Sequence, residues 1–360
     1  VTQNDSYAFA QISTEQDVND RVASLLEQTL QQQAPTATLQ RLPYLDDDYL
    51  TAIMTYYQQA VQTMTVTGPL KMPVTARYGV LAGGKTVVID VQSLLGPQLI
   101  PEIARSPLTA TSFGLGELMR KTRTTQTTDY IFVNLVNITN DIGVGALEAL
   151  GAKLTDDQGR PIHGGGKIGR LQRINVAPLS NWQGLHYHFY TTESARGPLL
   201  GATGITYRNV ALTGASPEIA QVLEAQVQQF SDQVVAAKFT DCRTTATAGL
   251  AGGLGYCFQT FFKQVSFTDM ATAFIQDTAK MTLVQQTAYY FVSAHNTSYR
   301  RLLAQFNKQV LVLTDTAEIT LGANEVVLAK YPRDINNHNQ IKVFTAALKQ
   351  ALQLIYFRQI

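Results

Sequence analysis

Apolar residues near the start of the chain recur at helical spacing. Val18, Val22, Leu25, Leu26 and Leu30 share one helix face, which the Gln31-Gln32-Gln33 run and Pro35 bring to an end. A second stripe, Leu50, Ile53, Met54, Tyr57, Val61 and Met64, predicts a helix beginning near Asp46, Asp47 and Asp48. Three carboxylates there favour the positive end of a helix dipole. The opposite face of this helix holds Tyr56, Gln58, Gln59 and Gln62 and no charge. Further on, Ser216 is a good N-cap, Pro217 suits the first helical turn, and Ile219, Leu223, Val227, Phe230 and Val234 form a buried stripe. No Gly or Pro occurs from 256 to 321, which predicts mostly helix, interrupted by a β-hairpin near 310–331 around Gly322-Ala323-Asn324. A last helix over about 334–357 places Ile341, Phe344, Leu348, Ala351 and Ile355 at 3-4-3-4 spacing, a short coiled-coil-like seam.

Between these flanks the punctuation changes. Twenty of the 25 glycines and eight of the 12 prolines fall between Gly68 and Gly214. Both residues are poor in helix interiors and common in turns, which predicts a β-rich middle. Residues 78–89 read as a hairpin around Gly83-Gly84, 130–138 as a strand, 152–162 as a turn about Asp156-Asp157-Gln158-Gly159, and 182–192 as another strand. The expected fold class is therefore α+β, a β-rich sandwich or small barrel flanked by helical N- and C-terminal regions. The expected parts are a helical region over 1–64, a β-rich domain over 65–215 and a mainly helical domain over 216–360.

Composition sharpens this picture. Charged residues make up 15% of the 360, against roughly 25% in an average soluble domain, and about 40 Thr and more than 30 Gln fill the deficit. Hydrophobic content of 45% and a mean hydropathy of −0.04 supply a core and exclude wholesale disorder. A net charge of +1 without any block of like charges removes the footprint of a dedicated nucleic-acid partner. No run of 18 strongly apolar residues predicts a transmembrane segment.

The chemistry-bearing patterns are few. His186-Tyr187-His188 with Glu193 resembles the core of the first cupin motif, because residues i and i+2 on a strand share a face and could reach one metal ion. The second cupin motif is absent, and the same residues could simply pack a sheet beside Trp182, Phe189 and Tyr190. His163-Gly164-Gly165-Gly166 matches the oxyanion string of some esterases, but the Gly-x-Ser-x-Gly elbow they require does not occur. Gly114-Leu115-Gly116 and Gly201-Ala202-Thr203-Gly204 are too sparse for a phosphate cradle. Cys242 and Cys257 have fourteen residues between them, including four glycines. They could form a disulfide worth about 3 kcal/mol, remain buried free thiols, or contribute to a metal site. A disulfide would place the protein in an oxidising, extracytoplasmic compartment.

A Thr/Gln-rich chain of this size, with the Cys242/Cys257 pair and no catalytic signature, resembles the IcmX-like periplasmic components of Dot/Icm type IVB secretion systems. The resemblance implies a location in the periplasm and a symmetric homo-oligomer beside a translocation channel, working with a polytopic membrane protein. The function expected is then a non-enzymatic structural subunit without a cofactor. Independently, the uncharged helix face and the terminal seam nominate Tyr57, Met64, Phe344 and Leu348 as oligomer contacts. The alternatives are a metal-dependent cupin-like enzyme at His186, His188 and Glu193, or a cell-wall-binding module stacking ligands on Trp182, Tyr187 and Tyr190.

Overall fold

The computed structural model describes residues 6–10, 16–33, 35, 37–42, 45, 48–278, 287, 289–293, 297–306, 308–314, 320–330 and 337–357. Two compact units divide the chain: Val1–Ala52 with Met270–Ile360, and Ile53–Asp269. The first unit opens with β1 (Ser6–Ala10), α1 (Gln16–Gln33) and β2 (Thr38–Leu42), followed by α2 (Tyr49–Tyr56). The second contains β3 (Gln62–Thr67), β4 (Pro73–Leu81), β5 (Thr86–Asp90), α3 (Val91–Leu95), α4 (Phe113–Thr122), β6 (Asp129–Val133), α5 (Val144–Ala149), β7 (Lys153–Thr155) and β8 (Arg173–Asn175). It continues through β9 (His186–Thr191), α6 (Ile205–Arg208), α7 (Val210–Thr213), α8 (Pro217–Ala236), α9 (Leu254–Phe261) and β10 (Gln264–Asp269). The chain then returns to the first unit with α10 (Met270–Asp277), β11 (Tyr289–Ser293), α11 (Thr297–Gln305), β12 (Gln309–Thr314), β13 (Glu325–Lys330) and α12 (His338–Phe357).

In the first unit the five strands pair in parallel in the order β13-β12-β11-β1-β2. Parallel sheets need crossover helices and both faces covered, so their strands read as continuous apolar runs instead of alternating ones. Tyr7, Phe9, Phe291, Leu311 and Leu313 meet Val22, Leu26 and Leu30 of α1 and Phe344, Leu348 and Leu352 of α12 in one core cluster. Their opposite-facing neighbours Tyr290, Val292, Val310 and Val312 are buried as well. This explains where the helical expectation for 256–321 fails: a run without Gly or Pro holds β10, β11 and β12. The expected hairpin near 310–331 is likewise replaced by β12 and β13 running parallel.

In the second unit the order is β10-β9-β6-β5-β4-β3, with β10, β9, β6 and β5 parallel and the β5–β4–β3 end antiparallel. The hairpin predicted around Gly83-Gly84 forms, with Tyr78 opposite Ile89. Tyr130 and Phe132 of β6 and Tyr187 and Phe189 of β9 stack across the sheet, and Phe258 of α9 closes over Phe132, Tyr187 and Phe189 with ring centroids 5.1–5.2 Å away. The two buried phenols are satisfied: Tyr130 donates to the Met119 carbonyl and Tyr187 to that of Trp182.

The fold is thus α/β, with one parallel and one mixed sheet interleaved with helices. It is not a β-rich middle between helical ends. The glycines and prolines of the middle third mark the many turns between strands and short helices. Their density was a signal of turn number, not of strand content. The second predicted helix is also shorter than expected. Asp46 and Asp47 lie outside the described residues, α2 ends at Tyr56, and Met64 sits on β3, partly buried against the core. Tyr57 is exposed in the turn after α2, whereas Phe344 and Leu348 are fully buried in this chain's own core. The terminal seam therefore packs internally on α1. The side chains of Ala351 and Ile355 lie outside the described residues. Among the described residues no helix is long and apolar enough to cross a membrane.

Candidate active site

In open α/β sheets, ligands bind outside the carboxyl ends of the parallel strands, where loops leave the sheet. In the second unit these ends are Asp90, Val133, Thr191 and Asp269. The loop leaving β6 is heavily tied. The Asn134 carbonyl accepts the N–H of Gln92, and Ile138 N–H donates to the Leu95 carbonyl. Asn137 bridges in two directions: its side-chain oxygen accepts the Thr139 N–H at 2.8 Å and its Nδ2 donates to the Ala251 carbonyl at 2.7 Å.

Asp141 anchors the loop's far end. Oδ2 accepts the Ser112 N–H (2.7 Å), the Ser112 hydroxyl (3.0 Å) and the Gly145 N–H (3.2 Å), while Oδ1 accepts the Thr139 hydroxyl (3.1 Å) and the Gly143 N–H (3.2 Å). Complete burial pushes its carboxyl pKa above the ordinary value, against these donors, which pull it down. With both oxygens occupied, Asp141 is a positioning residue that fixes the loop to the starts of α4 and α5.

A glycine-rich turn before α9 forms the opposite wall. Ala251 (φ 48°), Gly252 (φ 67°) and Gly253 (φ 92°) are consecutively left-handed. A Cβ on Gly252 would overlap the Thr139 carbonyl, so only glycine lets the two loops approach this closely. Asn134 and Ile142 are also left-handed, at φ 50° and 52°. For a β-branched residue such as Ile142 this is true strain, of the kind that surrounding structure must hold in place and that gathers at functional sites.

Between these loops lies a cleft of about 220 Å³, bordered by Val136, Asn137, Ser194, Arg208, Asn209 and Gly252. Arg208, at the end of α6, donates from Nη1 to the Arg196 carbonyl at 2.6 Å and from Nη2 to the Gly249 carbonyl at 3.2 Å. Both partners are neutral. Burial lowers its pKa from the usual arginine value, yet a guanidinium remains charged in proteins. The cleft wall thus carries a cation held by carbonyls and not by a carboxylate.

The sequence-predicted site residues lie elsewhere. His186 and His188 sit at the amino end of β9, with His186 Nδ1 and His188 Nε2 each 3.2 Å from one oxygen of Asp129 and His188 Nδ1 2.7 Å from the Ser266 hydroxyl. Glu193 follows the opposite end of β9, so the cupin-like trio is not assembled. Among the described residues no group of three His, Cys, Asp or Glu side chains is arranged to hold a metal ion. Trp182, Tyr187 and Tyr190 are buried core, not a stacking surface. Cys242 and Cys257 are buried free thiols; Cys257 faces the Gly143 carbonyl at 3.8 Å and no bridge joins the pair. His163 pairs with Glu148 at 3.0 Å, beside a glycine run packed on the Leu108–Thr109 backbone.

The family model described as glycerate kinase family matches residues 18–293, more than half of the chain. The chain belongs to the glycerate kinase family. Within that family it is 30% identical over 244 residues to the glycerate kinase of Bacillus subtilis, covering 67% of this chain and 64% of that protein. It is also 30% identical over 243 residues to the glycerate 2-kinase of Escherichia coli, with the same coverage. The matched region thus spans a little under two thirds of the length of these curated relatives. A crystal structure of a glycerate kinase homologue from Salmonella typhimurium LT2 superposes with a TM-score of 0.79 at 22% identity, covering 99% of this chain and 100% of that one. Membership in the glycerate kinase family overturns the secretion-channel reading, with its membrane-protein partner and non-enzymatic role, because the matched relatives are named as enzymes. It leaves the cupin-like alternative without support too. Sequence reasoning missed Asn137, Asp141, Arg208 and the 249–253 turn. The signal available was the Asn140-Asp141 pair with Gly143 and Gly145 directly after a β-prone run, which reads as a strand-to-helix loop.

Proposed function

We propose that this chain is a metabolic kinase that transfers a phosphoryl group from a nucleoside triphosphate to a hydroxyl of glycerate. The observation that carries this reading is the family match over residues 18–293. In such a reaction the acceptor hydroxyl oxygen forms a bond to the terminal phosphorus. The bridging P–O bond breaks, the nucleoside diphosphate leaves with the electron pair, and the hydroxyl proton passes to base or solvent. Catalysis of this kind is mostly positioning and charge stabilisation. The cleft at the carboxyl edge supplies the positioning: loops locked by Asp141 and Asn137, with Arg208 on the wall between them.

The test is direct. Purified protein incubated with a nucleoside triphosphate, a divalent cation and D-glycerate is followed by phosphorus NMR. Appearance of a phosphate-ester resonance together with nucleoside diphosphate is expected. Hydrolysis alone, or no turnover, would refute the reading.

A further inference from the structure

We infer that the Arg208 cleft binds a small carboxylate, the acid group of the acceptor, and not the polyphosphate of the donor. The inference rests on the kinase reading for the acceptor's identity, while the chemistry of the cleft stands on its own geometry. A guanidinium has five N–H groups; two donate to the Arg196 and Gly249 carbonyls, which leaves donors for an incoming oxyanion. Those carbonyls orient the group without neutralising it, and planar guanidinium donors match a carboxylate or phosphate in fork geometry. Asn209 and Ser194, whose hydroxyl lies 3.0 Å from that of Thr192, border the same space and can meet the polar body of a hydroxy acid.

Both carboxylate and phosphate share this oxyanion chemistry, and the size of the cleft favours the small acid. At about 220 Å³ the cleft lies below the roughly 300–1,000 Å³ typical of sites for drug-sized ligands. It has room for a molecule of about six or seven heavy atoms and does not enclose a whole nucleotide. The left-handed Ala251 and Gly252 form part of this wall.

The experiment measures binding by calorimetry on the whole chain with four probes: D-glycerate, propionate, glycerol and a nucleoside triphosphate. Glycerate should bind, propionate should bind more weakly, and glycerol should not bind. Arg208→Gln should weaken glycerate binding about 10- to 100-fold, the scale of a lost charge-assisted bond pair, and leave triphosphate affinity within twofold. Because Arg208 also ties two carbonyls, a second variant keeps those bonds: Ala195→Glu places a negative charge on the cleft wall and should produce the same selective loss. Thermal unfolding checks that each variant is folded. Unchanged glycerate affinity in Ala195→Glu, a parallel loss of triphosphate affinity, or absence of any carboxylate binding by the wild type would overturn the inference. Glycerate binding that depends on Arg208 but comes without turnover would refute the kinase reading and support the cleft. Turnover with an unchanged KM for glycerate in both variants would do the reverse.

Discussion

Asp141 accepts two hydrogen bonds from Ser112, one from its backbone N–H at 2.7 Å and one from its hydroxyl at 3.0 Å. The same hydroxyl oxygen accepts the Ala146 N–H at 3.1 Å, so a single serine couples the β6 loop to two helices. Asp141→Asn turns an amide donor toward groups that are themselves donors. The expected loss is about 3 kcal/mol in urea unfolding, and about 1–2 kcal/mol for Ser112→Ala. The double variant should lose less than the sum, because the two residues share one network.

The Asp129 carboxyl gives a pH signature. Burial raises its pKa, but hydrogen bonds from Thr128, His188 and His186 outweigh that effect and hold it below the ordinary value of 3.8. A depressed folded pKa means that ionisation favours the folded state. The contribution is complete above about pH 5 and is lost as the pH falls through the folded value. Asp129→Ala should therefore lower stability at neutral pH and flatten the acid limb below pH 4 in thermal melts taken across pH.

Cys242 and Cys257 are predicted to remain thiols. Burial raises both pKa values, that of the fully buried Cys257 well above the usual thiol range. Native protein at pH 8 should take up alkylating reagent slowly at Cys257, since the thiolate is the reactive form. Denatured, unreduced protein should gain two alkyl groups by mass spectrometry. No uptake after denaturation would show a bridge.

Gly116 on α4 faces α5 so closely that a Cβ would overlap the Ala146 carbonyl and crowd the Ala149 side chain. Gly116→Ala must push the two helices apart. The expected cost is about 1–3 kcal/mol, read as a lowered urea midpoint with unchanged slope.

Helices with one wet face were readable in the sequence. α1 and α8 form over their apolar stripes, and Ser216 caps α8 by accepting the Ile219 N–H. The Gly83-Gly84 hairpin was readable because its turn chemistry is local. The strands Tyr289–Ser293 and Gln309–Thr314 were not, because burial on both faces erases the period-2 alternation that identifies a strand. The cleft was hidden for another reason. Arg208 is held by carbonyls 12 and 41 residues away, and a carbonyl leaves no mark on a sequence. His186 and His188 were conspicuous for their spacing, yet strand direction places them at the end of the sheet remote from the loops that build the cleft.

The central pairing of the five-stranded sheet sets Tyr7 beside Tyr289, residues about 280 apart in the chain. At a synthesis rate of roughly 5–20 residues per second, β1 waits tens of seconds on the ribosome for the strand that completes it. During that interval Phe9, Val22 and Leu26 have only β2 and α1 for cover, since Phe291, Phe344 and Leu348 have not yet been made. Residues 53–269 emerge whole in the meantime. Completion of the two units is therefore staggered: residues 53–269 can mature first, and β1, made before them, is among the later elements to be buried.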